Sequence, residues 1–236
     1  MPSELLAFRL RSRLGCQKQV VIGDGGRSQT NMITVRDATE DDLPAIIDIY
    51  NESIPAGRST ADTEPITIAE RLDWFRKFDA KKRPISVALD QGRIVGCVYL
   101  SWFYGGRPAY DKTAEISTYI SSSHQGKGIG TMLKQRMIEA CPRLGVENLL
   151  SMYFDHNEAT QRLNDKFGFE GVGHLPEIAD VLGEKRGLRI SLLRIKKCEQ
   201  PGPTNPHAFG TSSTSAAEQP LVPEASGNRS SGTLGI

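Results

Sequence analysis

The sequence predicts an α/β fold in which a mixed, twisted central sheet carries helices on both faces. Short alternating apolar runs, typical of strands, are interspersed with longer runs whose apolar residues recur every three or four positions, typical of helices. A predicted hairpin interrupts the alternation of strands and helices, which indicates a mixed sheet rather than a purely parallel one. These regular signals are confined to residues 32–197, where we expect a single domain.

The domain is predicted to begin with one strand and two helices. A strand at residues 33–38 leads into a helix at 39–51, whose first turn is acidic. Thr67 and Glu70 form a capping-box pattern, which indicates that the second helix contains ERLDWFRKF. The later elements are, in order, a hairpin of strands 85–90 and 94–103, a strand at 113–121, a glycine-rich loop, a helix that stops before Pro142, a strand at 148–154, a helix at 157–167 closed by Gly168, and a last strand at 188–195.

Both ends of the chain differ in composition from the predicted domain. Residues 1–31 form a basic stretch that we expect to be poorly ordered, and Met32 directly before the first strand is an alternative start. An organelle transit peptide is a second, weaker interpretation of this stretch. Residues 198–236 are dominated by Pro, Gly, Ser, Thr and Ala, so we expect a disordered tail that buries too little apolar surface to fold.

Charge and cysteine content narrow the function classes. The 236 residues include 29 Lys and Arg against 28 Asp and Glu, a formal net charge of +1, so no global charge favours nucleic acid or an anionic membrane. No apolar run reaches the ~20 residues of a membrane-spanning helix. The four cysteines are scattered without metal-ligand spacing, which suits a reducing, cytoplasmic compartment and predicts neither a metal site nor a disulfide framework.

The segment HQGKGIG, residues 124–130, has the composition of a phosphate-binding loop. It follows a predicted strand and precedes a predicted helix, where glycines allow close backbone approach and the helix start offers unpaired N–H groups. The spacing matches neither GxxxxGK[ST] nor GxGxxG, which excludes the two common nucleotide loops. It does match QxxGxG, through Gln125, Gly128 and Gly130. A plain tight turn is the alternative interpretation of these glycines.

Several further segments occur together with this loop in a single order. They are IYN at 49–51, STADTEP at 59–65, RLDWF at 71–75, RPAY at 107–110, TAEISTYI at 113–120, HN at 156–157 and KFGF at 166–169. With HQGKGIG they resemble the phosphinothricin acetyltransferase-like branch of the GNAT N-acetyltransferases. The resemblance covers residues 33–195 and excludes both ends of the chain.

The resemblance implies acetyl-CoA as cosubstrate and assigns residues to it. Glu115, in the middle of the TAEISTYI strand, corresponds to the family's catalytic glutamate. A mid-strand carboxylate suits that role, because it is unfavourable there without a partner or a task. Through a water it would take the proton from the substrate amine, whose pKa is ~8. The residues expected to hold coenzyme A are Thr118, Tyr119, Ile120, Gln125, Gly126, Lys127, Gly128, Ile129, Gly130, Thr131 and Asn157.

The proton donor and the amine pocket follow less directly from the sequence. Asn164 stands where relatives carry Tyr or His as the acid for the leaving thiolate, and an amide cannot supply a proton. Arg107 and Tyr110 are the candidates for substrate binding, with Arg58 as a further possible partner of a substrate carboxylate. Gly187 replaces an acidic residue usual in the family. His124 and His174 are expected to be loop residues.

The resemblance, together with these residues, implies an enzyme that transfers acetyl from acetyl-CoA to the primary amine of a small amino acid or analogue, of phosphinothricin or methionine sulfoximine type, by direct attack. We expect a small-molecule amine, no nucleic acid, no membrane, and a possible homodimer. One alternative is a noncatalytic CoA-binding or regulatory module, which the amide at Asn164 makes conceivable. Another is acetylation of a protein or peptide amine.

Overall fold

The computed structural model describes residues 33–196. The predictions for residues 1–31, Met32 and residues 198–236 therefore lie outside the described residues. Within residues 33–196 the chain forms a seven-stranded sheet in the order β1-β2-β3-β4-β5-β7-β6. The sheet is mixed, as predicted, because β4 and β5 are parallel while the other neighbours are antiparallel.

The strands and helices follow the predicted order with one addition. The strands are β1 Thr34–Asp37, β2 Ile85–Asp90, β3 Arg93–Trp102, β4 Thr113–Ile120, β5 Asn148–Phe154, β6 Glu170–Val181 and β7 Glu184–Arg194. The helices are α1 Leu43–Glu52, α2 Ile68–Arg76, α3 Ile129–Ala140 and α4 Glu158–Lys166, and a single 3-10 turn, Glu40–Asp42, precedes α1.

Helices cover both faces of the sheet, which confirms the predicted architecture. On one face α3 packs against a core that includes Ala114 and Ile116 of β4, with Phe169 after α4 in the same cluster. On the other face Ile46 of α1 and Trp74 of α2 pack against the side chains of β2, β3 and β4. The alternation of β4 therefore directs Ala114 and Ile116 toward α3, and directs Glu115 toward the α1 and α2 side.

Strand β6 was missed by the sequence analysis. Nearly all of Glu170–Val181 is exposed, and its pairing with β7 is interrupted by register shifts between Gly171 and Gly173 and between Leu175 and Ala179. An exposed, bulged edge strand lacks the apolar alternation by which strands are predicted. Strands β6 and β7 form a hairpin that extends the sheet. β7 therefore begins at Glu184, before its predicted start at residue 188.

This hairpin also corrects the prediction for His174 and explains the glycine at position 187. His174 lies in β6 rather than in a loop, and its Nε2 is 3.4 Å from Asp155 Oδ2. Gly187 of β7 donates its backbone N–H to Asp155 Oδ2 at 3.1 Å. A Cβ at position 187 would lie 2.5 Å from that oxygen and 2.6 Å from His174 Nε2, so any larger residue there would force a shift. The close approach of Asp155 and His174 accounts for the glycine.

Strands β4 and β5 diverge after a short parallel ladder. Their register pairs run only from Thr113↔Asn148 to Glu115↔Leu150. Beyond Glu115, β4 continues to Ile120 paired with β3 alone. The sheet therefore opens into a split, with the edge of β4 on one side and the end of β5 on the other. Among residues 33–196 no helix has the length and apolarity needed to span a membrane.

Candidate active site

Two adjoining cavities meet at the split between β4 and β5. The first has a volume of about 430 Å³ and is lined by Glu115 and by side chains from α2, α3 and β5. The second has a volume of about 760 Å³ and is lined by the HQGKGIG loop and the start of α4. The residues that line both cavities are Arg58, Ser59, Thr118, Tyr119, Asn157, Thr160 and Leu163. An elongated ligand could thus run from the loop into the split.

The glycine-rich loop has the backbone geometry of an anion site. Gly126 and Gly128 adopt left-handed conformations, with φ of 75° and 81°, which other residues rarely adopt. Gly128 is the N-cap of α3, so the N–H groups of the first helical turn lack intrahelical acceptors. The second cavity is lined by most of the residues predicted to bind coenzyme A: Thr118, Tyr119, Ile120, Gln125, Gly126, Gly128, Ile129, Gly130, Thr131 and Asn157.

Lys127 does not belong to this lining. Its side chain is exposed, and it borders neither cavity. This position agrees with the alternative that it is an ordinary solvated loop lysine. At the loop itself, an anion would consequently meet backbone N–H groups and the positive end of the α3 dipole.

A carboxylate that the sequence analysis did not single out anchors the loop. Glu52, at the end of α1, accepts a hydrogen bond from the backbone N–H of Ser122 at 2.8 Å and another from Ser121 Oγ at 3.2 Å. These bonds hold the pKa of Glu52 below its ordinary value. The contact spans seventy positions of sequence, so no local pattern could have revealed it. It fixes the end of β4 and the loop against α1.

Asn157 caps α4, as its position predicted. Its Oδ1 accepts from the backbone N–H of Thr160 at 3.0 Å, and its Nδ2 donates to the carbonyl of Arg58 at 2.9 Å. His156 Nε2 lies 3.0 Å from the carbonyl of Gly57 in the same loop. These contacts tie the loop that carries Arg58 to the start of α4. Asn157 borders both cavities, so a coenzyme A contact from it remains a prediction.

Glu115 lies in the first cavity, at the last register pair before the sheet opens. On the other side of β4, Glu115 is paired with Ser101 of β3. No side chain or backbone N–H of residues 33–196 donates a hydrogen bond to its carboxylate, and burial raises its pKa. A carboxylate with a raised pKa holds an abstracted proton more readily than one in water. Its position and environment therefore suit a general base.

The α2 side of the first cavity is aromatic and carries an arginine. The guanidinium of Arg71 lies 5.3 Å from the ring centroids of both Tyr50 and Trp74, and its Nη2 donates to Asp62 Oδ2 at 3.1 Å. Tyr50 Oη donates to the same oxygen at 2.5 Å. The RLDWF and STADTEP segments carry Arg71, Trp74 and Asp62, but the sequence did not predict the roles of these side chains. Their pairing depends on the tertiary approach of α2 to α1.

Arg107 and Tyr110 are not brought to either cavity. They lie on the turn after β3, where the guanidinium of Arg107 is 5.1 Å from the Tyr104 ring centroid and Tyr110 is 40% exposed. We predicted that these two residues bind substrate because they lie between β3 and β4 in sequence, next to the proposed site. The structure instead places Arg58 in the lining of both cavities.

A buried polar cluster lies on the opposite side of the split. Lys134 of α3 is 2% exposed, lines the first cavity, and donates from Nζ to Oδ1 of Asn164. Asn164, 1% exposed, in turn donates from Nδ2 to Ser151 Oγ of β5 at 3.2 Å. The role of Asn164 was considered from the sequence, whereas Lys134 was not predicted to belong to the site. A polar residue interrupting the apolar stripe of α3 was the available signal.

Within residues 33–196 there is no group of three or more His, Cys, Asp or Glu side chains placed to hold a metal ion. The two cavities offer space for an anion at the loop, an extended arm along β4, and an amine near a carboxylate. These are the requirements of acyl transfer from a phosphate-bearing thioester to an amine.

Comparisons with known proteins agree with this geometry. YwnH of Bacillus subtilis, provisionally named a phosphinothricin acetyltransferase, is 40% identical over 159 residues, covering 67% of this chain and 96% of YwnH. The L-methionine sulfoximine/L-methionine sulfone acetyltransferase of Pseudomonas paraeruginosa is 34% identical over 171 residues, covering 69% and 93%.

A solved structure extends the comparison to a ligand-bound relative. The GNAT superfamily phosphinothricin acetyltransferase of Sinorhizobium meliloti, in complex with acetyl-CoA, matches with a TM-score of 0.66 and 29% identity, covering 73% of this chain and 97% of that one. The family model described as "Acetyltransferase (GNAT) family" matches residues 43–169, more than half of the chain. The protein is therefore an acetyltransferase that belongs to the GNAT family.

Proposed function

We propose that the protein transfers acetyl from acetyl-CoA to the primary amine of a small amino acid or amino-acid analogue. The observation that carries this proposal is the continuity of the two cavities, which leads from an anion-binding loop past the open edge of β4 to Glu115. Relatives named for phosphinothricin and methionine sulfoximine support an amino-acid-like acceptor.

The cosubstrate supplies the acetyl group as a thioester. Backbone N–H groups of residues 126–131 would hold its pyrophosphate, and the edge of β4 beyond Glu115 would pair with its extended arm as an added strand would. In this arrangement a backbone N–H near Thr118 to Ile120 would meet the thioester oxygen, where negative charge develops.

Glu115 would act on the acceptor. An α-amine with a pKa of ~8 is mostly protonated at neutral pH and cannot attack in that form. Glu115, through a water, removes this proton and so makes the nitrogen nucleophilic. Burial raises the pKa of Glu115, which makes its carboxylate a stronger base, and no cationic side chain within residues 33–196 forms an ion pair with it.

The acceptor's carboxylate would be recognised by arginine. Arg58 borders both cavities and forms no ion pair with any residue between 33 and 196. Arg71, in contrast, is paired with Asp62. A free guanidinium can bind a carboxylate by two parallel hydrogen bonds. Arg58 is therefore the better candidate, with the aromatic side chains around Arg71 forming the wall beside the acceptor's side chain.

Release of free CoA thiol over a panel of amines tests the proposal. We expect turnover with one or more α-amino acids, phosphinothricin or methionine sulfoximine, and none with amines that lack a carboxylate, such as polyamines. Acetyl-CoA binding without turnover on any amine would instead support the noncatalytic module. Family membership together with the ligand-bound relative argues against that alternative.

A further inference from the structure

Lys134 is a buried lysine that takes no part in the proposed binding of coenzyme A or in the action of Glu115. It belongs to α3, the helix that begins at the glycine-rich loop, but it lies more than one turn beyond that loop. Its side chain is 2% exposed and borders the first cavity. Since α3 packs on the face of β4 that carries Ala114 and Ile116, Lys134 approaches the split from the side opposite to Glu115.

The surroundings of Lys134 do not neutralise its charge. Its hydrogen-bond acceptor within residues 33–196 is the amide oxygen of Asn164, and its Nζ lies 4.4 Å from the Phe169 ring centroid. No carboxylate of those residues forms an ion pair with it, and burial lowers its pKa to about 7. An unpaired ammonium in such a place is costly, so it is expected to have a task.

Other ionisable groups share the cavity without contacting this amine. Strand β4 contributes Glu115, on the far side of the split, and strand β5 contributes the phenol of Tyr153. The α4 partner Asn164 and the β5 hydroxyl of Ser151 are uncharged. The remaining charged or titratable side chains that line the cavity are Tyr50, Arg58, Asp62, Arg71, Tyr99 and Tyr119.

The position of Lys134 matches the group that the acyl-transfer chemistry still lacks. Asn164 is hydrogen-bonded to Lys134, and the neighbouring Leu163 lines both cavities where they join. A thioester that enters the split from the loop would present its sulfur at this junction. Asn164 cannot donate a proton outright, but the ammonium it orients has two further N–H groups.

We propose that Lys134 is the general acid that protonates the departing sulfur of coenzyme A, with Asn164 as its positioning residue. This inference rests on the proposed function. The substrate ammonium first gives one proton through water to Glu115, which passes it to solvent. The amine nitrogen then bonds to the carbonyl carbon and gives a second proton to Glu115 through water. The carbon–sulfur bond breaks, its electron pair goes to sulfur, and the sulfur takes a proton from Lys134 Nζ. Glu115 then loses its proton to solvent, and Lys134 regains one from solvent.

The first test uses the binary complex with coenzyme A and needs no amine substrate. The ultraviolet absorbance of the bound thiolate is followed against pH in the wild type, in Lys134→Met and in Lys166→Met. An ammonium beside the sulfur stabilises the thiolate, so the wild type should form it at lower pH than Lys134→Met, and the two groups should titrate as a pair. Lys166 is exposed on α4, and its variant should follow the wild type.

The second test measures kcat against pH with the best amine found. Because Lys134 must be protonated to act, kcat should fall on the alkaline side in the wild type. In Lys134→Met kcat should be lower by roughly 10²-fold and this alkaline fall should be absent. In Asn164→Asp, a carboxylate beside the ammonium should move the fall to higher pH. A purely structural role for Lys134 would neither abolish the alkaline fall of kcat in Lys134→Met nor shift this fall in Asn164→Asp.

The outcomes separate this inference from the proposed function. Circular dichroism and acetyl-CoA affinity first establish that each variant is folded and binds. If the wild type turns over no amine, the proposed function fails, and the thiol titration still decides the role of Lys134. If thiolate formation in Lys134→Met coincides with that of the wild type, Lys134 does not contact the sulfur and the inference is overturned. An unchanged alkaline fall of kcat in that variant would overturn it equally.

Discussion

Glu115 illustrates how one residue acquires its chemistry from its place in a strand. It is the last β4 residue paired with β5, so its side chain lies at the mouth of the split, where burial raises its pKa. A glutamate at an ordinary exposed strand position would have neither the raised pKa nor a place in the lining of the first cavity. The position of Glu115 in the ladder therefore produces the environment that suits a general base.

Replacing this carboxylate tests the base. Glu115→Gln keeps the shape of the side chain but cannot accept the proton, so we expect kcat to fall by ~10²-fold or more while acetyl-CoA affinity is retained. The loss should be smaller at high pH, where the free amine is already deprotonated. Steady-state kinetics over pH and acetyl-CoA titration measure both effects. Near-normal turnover with intact binding would exclude Glu115 as the base.

Arg58 and Arg107 offer a matched comparison for carboxylate recognition. Arg58→Met should raise the KM for an amino acid by roughly 10-fold to 100-fold, because a charge-assisted pair contributes ~1.5–3 kcal/mol. The KM for the corresponding amino-acid amide should change little. Arg107→Met should leave both values unchanged, since that residue lies outside both cavities. If Arg107→Met alone raises the KM, the assignment made from the sequence is correct and the one made from the cavity is wrong.

Helix α2 shows how an element positions side chains of the site. Thr67 and Glu70 form the capping box that the sequence predicted: Glu70 Oε2 accepts from the backbone N–H of Thr67 at 2.8 Å, and Thr67 Oγ1 accepts from that of Glu70 at 3.4 Å. The helix that this box begins carries Arg71 and Trp74 into the first cavity. A local interaction therefore holds one wall of the first cavity, where we propose that the acceptor binds.

Weakening this cap should affect the acceptor more than the cosubstrate. Thr67→Ala removes the hydroxyl and should cost ~1 kcal/mol, which lowers Tm by about 2–4 °C in a domain of this size. Because α2 lines the first cavity and not the second, the KM for the amine should rise while that for acetyl-CoA stays constant. Thr67→Ser retains the cap and should behave as the wild type. Equal rises in both KM values would contradict this assignment of α2.

Sequence patterns predicted the strands and caps that depend on residues close together in the sequence. β2 and β5 match their predicted bounds, and the Asn157 cap is formed as expected, because apolar alternation and capping are properties of neighbouring residues. β6 was missed because an exposed edge strand has no burial pattern. The contacts of Glu52 with Ser122 and of Lys134 with Asn164 were missed because they join distant parts of the chain. The parts of the candidate site that belong to a sequence motif were thus predictable. The parts that depend on tertiary contacts were not.

At the scale of the whole molecule, the split divides the sheet into two parts. The short ladder from Thr113 to Glu115 is the hydrogen-bonded connection between β4 and β5, and α3 packs across the core of the β4 side. A ligand arm that pairs with the free edge of β4 would add a further connection between the parts. Ligand binding should therefore stabilise the domain as a unit.

Acetyl-CoA should accordingly raise the stability of the folded domain. At a concentration 100-fold above Kd, binding to the native state alone contributes about 2.7 kcal/mol, visible as an increase in Tm. Adenosine diphosphate carries a pyrophosphate without the pantetheine arm, so at matched concentration it should give a smaller shift. Thermal unfolding with each ligand measures this difference. Equal shifts would indicate that only the glycine-rich loop, and not the split, is occupied.

Lys134 connects the site to the stability of the whole domain. Its pKa is about 7 in the folded protein and about 10.5 in an unfolded chain. Between these values the unfolded chain holds a proton that the folded one has released, so this group makes stability rise with pH across that window. At and below neutral pH the full penalty for burying the ammonium is present. Each pKa unit corresponds to about 1.4 kcal/mol, which sets an upper limit of roughly 5 kcal/mol.

Lys134→Met removes this dependence. The variant should be more stable than the wild type at neutral and lower pH, and the difference should shrink steadily as pH rises from about 7 toward 10.5. Urea unfolding at a series of pH values measures the difference directly. Lys166→Met, at an exposed position of α4, should differ from the wild type by a small amount that does not vary with pH. A stability difference between Lys134→Met and the wild type that stays constant across the window would mean that Lys134 keeps its proton in the folded protein. The domain would then tolerate a charged ammonium in its core, and the alkaline limb expected for catalysis would lie at a correspondingly higher pH.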